Sequence, residues 1–321
     1  MPVLTEIPAR ARRVAVLDQV REAYAMIMAD PTARTLLTGG DDTLLADWLY
    51  ARWWCGPGSG SAAGSDDHDQ AARGAALLEA ARQAVAVTSS GWLVLAAVAD
   101  QLVAAPLPAQ HSLDRRLTTT DAVVSSSRPG RPPRPGDLVT LRGGQAGLDP
   151  TGGWWWAHTG RPEDLTEQPL DRWYVHARDL AAAAELVRVL LSIAADADCD
   201  LSLKCPPRED GYGRRDALVV YLPRARSAVA EAALRRRAAE LADWVEPEVP
   251  PLTRPLLPGL AQAEDPGATD EPEAVSYGQL RCRQIAALVR TWPAQEALTD
   301  DTLVAALDAV GIDVEAPERV Q

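Results

Sequence analysis

One lysine, Lys204, stands in a chain whose other 31 basic side chains are all arginine. Arginine replaces a surface lysine in most electrostatic roles and grips carboxylates and phosphates more firmly, but it does not give up its proton. A position that keeps an amine points to chemistry needing a neutral nitrogen, such as a general base or a nucleophile. A bias toward Ala, Arg, Pro and Gly explains part of the lysine scarcity, so the count becomes informative only with the surroundings.

Alternation along strands supplies those surroundings. Within a strand expected over Asp200–Cys205, Leu201, Leu203 and Cys205 share one side, while Asp200, Ser202 and Lys204 share the other. In Arg172–His176, the residues Arg172, Tyr174 and His176 oppose Trp173 and Val175. In Asp216–Leu222, Leu218, Val220 and Leu222 face a core and leave Tyr221 on the far side. In Gly153–His158, Trp154, Trp156 and His158 align. One sheet face then gathers Lys204, Tyr221, Arg172, His176 and His158. Arg214 and Arg215 precede one strand, and Arg281 and Arg283 begin a late helix, so guanidiniums that fork onto a phosphate or carboxylate are close in sequence. For each of these residues the plain alternative is structural: a hydrogen-bonded histidine, a core tyrosine, or an arginine paired with one of the 45 acidic residues.

Stepping along the chain, helices are expected over Arg13–Met28, Asp41–Trp54, Gln70–Val87 and Gly91–Val103. A Gly/Ser-rich stretch spans 58–69. Pro106–Pro135, with its Thr, Ser and Pro/Arg clusters, reads as a long loop. Strands follow, beginning with Asp137–Arg142. Helices are expected at Arg178–Ala195, Ala225–Trp244, Tyr277–Thr291 and Asp300–Val310, with a Pro-rich loop over Glu246–Pro272. The expected fold class is α+β: a helical N-terminal part, then an antiparallel or mixed sheet with helices packed on one face and an open catalytic face. The division is 1–105 helical, 106–136 linker and 137–321 α+β.

A net charge of −13 and a pI near 4.8 oppose nucleic acid or an anionic membrane as partner. No apolar run has the length of a membrane span and residues 1–13 lack a signal-peptide core, so a cytosolic protein is expected. The four cysteines, Cys55, Cys199, Cys205 and Cys282, have no metal-ligand spacing, and free thiols are expected rather than a metal site.

Several runs together resemble the HopA-type effector family: Arg172-Trp-Tyr-Val-His176, Leu201-Ser-Leu-Lys204, Arg214-Arg-Asp-Ala-Leu-Val-Val-Tyr221, Val249–Gly259, Ser276–Arg283 and Leu49–Gly56. The blocks occur in the family's order over most of the chain. The resemblance implies a lyase that works beside a kinase in ribosomal-peptide maturation of the lanthipeptide or thioamitide type. Such an enzyme turns phosphoserine and phosphothreonine of a leader-bearing precursor into dehydroalanine and dehydrobutyrine, with no cofactor. It further implies Lys204 as base with Tyr221 beside it, His176 or else His158 as acid, and Arg214 or Arg215 with Arg281 or Arg283 as phosphate clamp; Arg172 joins the cationic set. The rival is a non-catalytic partner that holds the precursor or activates the kinase.

Overall fold

The computed structural model describes residues 8–56, 70–83, 88–99, 101–106, 116–120, 123–142, 145–148, 153–159, 165, 168–267, 275–292 and 299–320. The expected Gly/Ser-rich stretch at 58–69 lies outside these residues.

The N-terminal part is helical. Helix α1 (Ala9–Ala29) buries Val16, Leu17, Val20, Ala23 and Ile27, a three- and four-residue spacing that makes one apolar stripe. Asp30 caps α2 (Pro31–Gly39) by accepting from the Ala33 amide at 3.0 Å, with Pro31 in the first turn. Gly40 at φ 83° ends that helix, and Asp41 caps α3 (Asp42–Leu49). Helix α3 runs on into a π-helical turn, Tyr50–Trp54. Helix α4 (Gln70–Gln83) follows.

Five strands then form a small sheet of their own: β1 (Thr88–Val98), β2 (Gln101–Pro106), β3 (Arg116–Thr119), β4 (Val123–Ser126) and β5 (Leu138–Arg142), in the order β3-β2-β1-β5-β4 and antiparallel throughout. Trp92, Val94, Leu102, Ala104, Val139 and Leu141 make its core. Two expectations change here. The helix expected at Gly91–Val103 is a pair of strands, because an apolar run such as 92–98 suits a strand as well as a helix. The loop expected at Pro106–Pro135 contains β3 and β4, while 107–115 and 121–122 lie outside the described residues. Its Pro/Arg cluster is a compact turn: Arg128 forks onto Asp137 (Nε to Oδ1 2.8 Å, Nη2 to Oδ2 2.8 Å), which also accepts from the Arg134 amide at 2.7 Å. The strand after it, β5, pairs with β1 and β4 and so belongs to this smaller sheet.

The larger sheet has seven antiparallel strands in the order β11-β12-β8-β10-β9-β7-β6. They are β6 (Gln145–Leu148), β7 (Trp155–His158), β8 (Leu170–Val175), β9 (Ser202–Cys205), β10 (Leu218–Pro223), β11 (Arg254–Leu257) and β12 (Leu260–Glu264). The helices with it are α5 (Leu180–Asp196), α6 (Ser227–Arg236), α7 (Ala238–Leu241), α8 (Tyr277–Thr291) and α9 (Asp300–Ala309). The β11–β12 hairpin lies inside the segment expected as a Pro-rich loop. Pro255 is tolerated because β11 is an edge strand. Gly259 closes the hairpin at φ 72°, where a Cβ would meet the Glu246 carbonyl oxygen at 2.2 Å.

Both faces of this sheet carry a core. Trp155, Ala157, Trp173, Val175, Leu203, Cys205, Leu218 and Val220 pack against α5 through Ala183, Leu186, Val187 and Leu190. On the opposite face Tyr174, Val219 and Ala263 pack under Leu45, Leu49, Trp54, Tyr277 and Ile285 of α3, the π-helical turn and α8. The face expected to be open is therefore roofed by helices over β8 and β12. Toward β7 and β9 the side chains of Trp156, His158 and Lys204 are only partly buried. Among the described residues no helix is long and apolar enough to cross a membrane.

Candidate active site

Cross-strand partners share a face, and the register stacks two rows on the second face. One row runs Trp156 (β7), Lys204 (β9), Val219 (β10) and Tyr174 (β8); the other runs His158, Ser202, Tyr221 and Arg172 on the same strands. Lys204 thus points away from the α5 core, as its alternation with Leu203 and Cys205 requires.

Its amine lies among three rings. Lys204 Nζ is 4.8 Å from the ring centre of Trp154, 5.3 Å from that of Trp156 and 5.7 Å from that of Tyr221. These distances are within the range of cation–π attraction. Trp156 stacks on Tyr221 (5.9 Å, 21°) and on His158 (5.8 Å, 14°). Two guanidiniums share these rings: Arg172 Cζ is 5.0 Å from Tyr221 and Arg214 Cζ is 5.9 Å from Trp154. One patch therefore carries an amine, two guanidiniums, a phenol and an imidazole.

Each guanidinium has a carboxylate. Arg172 Nε donates to Asp265 at 2.5 Å. Burial works against its charge, but Tyr174, Tyr221 and Asp265 outweigh that and raise its pKa. Arg214 donates from Nε to Asp216 Oδ1 at 2.6 Å and from Nη2 to Oδ2 at 3.1 Å. Burial pushes the Asp216 carboxyl up, yet the Arg214 charge and the bonds from Arg214 and Tyr50 hold it below the usual carboxylate value.

The two histidines differ. Burial lowers the His158 pKa to about 4, so its imidazole is neutral near pH 7; its Nδ1 is buried without a hydrogen-bond partner, as is the Oγ of its cross-strand neighbour Ser202. Such atoms are where a polar ligand has most to offer. His176 sits just past β8, with Nδ1 3.2 Å from the Glu248 carbonyl oxygen and 3.8 Å from its carboxylate. Burial lowers its pKa as well, opposed by Glu248 and reinforced by Arg215. His176 bonds to Glu248, whereas His158 stacks on Trp156, the ring that Lys204 also approaches, so of the two candidate acids His158 is the one beside Lys204.

The remaining arginines separate. Arg215 is half-buried, with Nη1 donating to the Trp53 carbonyl at 2.9 Å. Arg281 does not meet the expectation of a phosphate clamp. It is 0% exposed, lies 4.9 Å over the Tyr277 ring and donates to Gln284 and to the carbonyls of Gly311, Pro317 and Arg319. It faces the interior turn of α8 and ties down the C-terminal segment. Arg283, two residues on, faces solvent. A cavity of about 720 Å³ lies elsewhere, lined by residues such as Arg12, Arg224, Glu231, Arg254 and Gln262. Arg254 is paired with Glu231 and Arg224 with Asp171, and the cavity contains none of the cluster. Chemistry favours the smaller patch over the larger hollow.

Sequence reasoning did not single out Asp216, Asp265, Ser202 or Tyr50. Asp216 directly follows the Arg214-Arg215 pair, which is the one local signal it carries.

Residues 153–319 match the model of the HopA1 effector protein family, which is more than half of the chain. None of the curated proteins compared matches it. Among solved structures, the effector protein from Pseudomonas syringae pv. tomato strain DC3000 superposes with a TM-score of 0.50 at 14% identity, covering 97% of this chain and 99% of that one. The effector protein from Pseudomonas syringae pv. syringae strain 61 gives 0.47 at 12% identity, covering 98% of each chain. The first shows a shared fold, and the family match places the residues of the ring cluster inside the matched span. The chain belongs to the HopA1 effector protein family.

Proposed function

We propose that this member of the HopA1 effector protein family is a phosphoserine/phosphothreonine lyase acting on a phosphorylated precursor peptide. The observation that carries the reading is the position of the chain's sole lysine, half-buried on a sheet face among Trp154, Trp156 and Tyr221, with guanidiniums over two of these rings. Elimination needs those groups together. Lys204 Nζ takes the α-proton of the phosphorylated residue. The electron pair becomes the Cα=Cβ double bond, the Cβ–O bond breaks, and phosphate departs with that bond's electrons. Arg214 and Arg172 neutralise the dianion and orient it. His158, neutral when the site is empty, takes a proton from solvent once a phosphate dianion lies beside it and passes that proton to the oxygen of the leaving phosphate. No metal or organic group enters these steps.

The substrate in this reading is a leader-bearing peptide, phosphorylated in the cytoplasm by a partner kinase and left with dehydroalanine or dehydrobutyrine. The test is mass spectrometry of a synthetic phosphothreonine peptide incubated with the protein. Loss of phosphoric acid supports the lyase, and Lys204→Met should lower the rate at least about 1,000-fold while peptide affinity changes only a few-fold. Recovery of the alcohol indicates a phosphatase. Binding without any change in mass indicates a holding or kinase-activating protein instead.

A further inference from the structure

Cations that stabilise a leaving phosphate act best when fixed before it arrives. Arg214 is fixed by its near neighbour Asp216, which is itself held by two residues from the N-terminal helical part. Asp216 is 3% exposed and accepts four hydrogen bonds: two from Arg214, one from Tyr50 Oη at 3.0 Å and one from Trp54 Nε1 at 3.2 Å. Tyr50 Oη in turn accepts from Arg214 Nη2 at 3.2 Å. We propose that Asp216, clamped by Tyr50 and Trp54 of the π-helical turn, is a positioning residue for Arg214, so that the N-terminal helical part is a built-in component of the phosphate site. The inference rests on the lyase reading above.

Geometry explains why this turn suits the task. A single π-helical turn inserted at a helix end is a recurrent functional device, and the last carbonyls of any helix lack intrahelical partners. Here the Cys55 amide bonds back five residues to the Tyr50 carbonyl, closing the turn. The Trp53 carbonyl is then taken by Arg215 Nη1 and the Cys55 carbonyl by the Arg215 amide, both at 2.9 Å. The negative end of the helix thus points at one arginine while two of the turn's side chains hold the carboxylate of the other. Burial first, and then Asp216, push the Tyr50 phenol well above its ordinary pKa, so it stays a donor across the working pH range. With its Nε and Nη2 fixed on Asp216, the Arg214 guanidinium is oriented over Trp154, the same ring that Lys204 approaches. Asp216 acts through Arg214, whose guanidinium it holds.

The rival account is a buried ion pair that only fastens helices to the sheet. A double-mutant cycle separates the two. Affinity for a phosphothreonine peptide is read by tryptophan fluorescence, with elimination followed in parallel by mass spectrometry, for wild type, Tyr50→Phe, Arg214→Lys and the pair. Tyr50→Phe removes one hydroxyl and keeps the ring, and circular dichroism checks that each variant folds. The expected result is a five- to tenfold loss of affinity, on the order of one hydrogen bond to a charged group, in the wild type and less than about twofold in the Arg214→Lys background. Equal losses in both backgrounds overturn the positioning role. If wild type binds the peptide but never eliminates phosphate, the lyase reading fails while the cycle on affinity still decides this one. Absence of phosphate-dependent binding by wild type overturns both.

Discussion

Replacing His158 with glutamine should flatten the acid limb of the protein's stability curve. Burial lowers the folded-state pKa of this imidazole from 6.5 to about 4. At 1.36 kcal/mol for each pKa unit, the difference amounts to about 3 kcal/mol in total. The sign follows from proton counting. Between the two values the unfolded chain binds a proton at this site and the folded chain does not, so stability rises with pH across that window. The contribution is complete above about pH 6.5 and drains away as pH falls toward about 4; between about pH 7.5 and about pH 5 it amounts to roughly 2 kcal/mol. The assay is urea unfolding followed by tryptophan fluorescence at a series of pH values, with wild type and His158→Gln compared at each. His176, also depressed by burial, and the carboxylates titrate in both proteins, so they cancel in the difference. The wild-type curve should fall away from that of the variant by about 2 kcal/mol over the interval. Parallel curves would refute the reasoning: the folded protein would then be protonating this ring without penalty, and its desolvation beside Trp156 would be wrong.

Two further substitutions probe the frame of the site. Arg281→Ala removes a fully buried cation whose donors meet a side chain and three carbonyls, and should lower unfolding free energy by about 3–5 kcal/mol; thermal melting and early proteolysis of the C-terminal segment are the readouts. Gly278→Ala places a Cβ 2.5 Å from Trp54 Cε2, a rigid ring that cannot step aside. It should cost about 1–3 kcal/mol by chemical denaturation. Because Trp54 also donates to Asp216, phosphopeptide affinity should drop with it.

Much of the sheet could be read from the chain because alternation is local. Lys204 opposite Leu203, and Tyr221 opposite Val220 and Leu222, needed nothing beyond period two, and the register bears that arrangement out. Helix α8 occupies the expected residues Tyr277–Thr291, and Ser276 and Gln279 form a capping box at its start. What stayed hidden depended on distant partners. Residues 92–98 are apolar throughout, and only pairing with β5 and β2 decides that they are strand. Arg281 looks like any helix-start cation, since residue type says nothing of depth; the carbonyls it binds lie 30 to 38 positions away. Asp216 and Tyr50 are 166 positions apart, beyond any spacing rule. The roof over β8 is likewise a product of long-range packing, so alternation could name the side chains of that face without saying what covers them.

Helix α3, which leads into the turn holding Arg214 and Arg215, packs on α8. Its Leu45 and Leu49, with Trp53, leave the ribosome more than two hundred residues ahead of Tyr277 and Ile285, against whose cluster they close. At about 5–20 residues per second, the nascent chain carries that greasy segment uncovered for roughly 10–50 s. A chaperone that holds helices during synthesis should therefore raise the yield of native protein. Gene fragments ending before residue 277 should be recovered as aggregate, since the face of α3 and the π-helical turn that meets α8 stays uncovered without it.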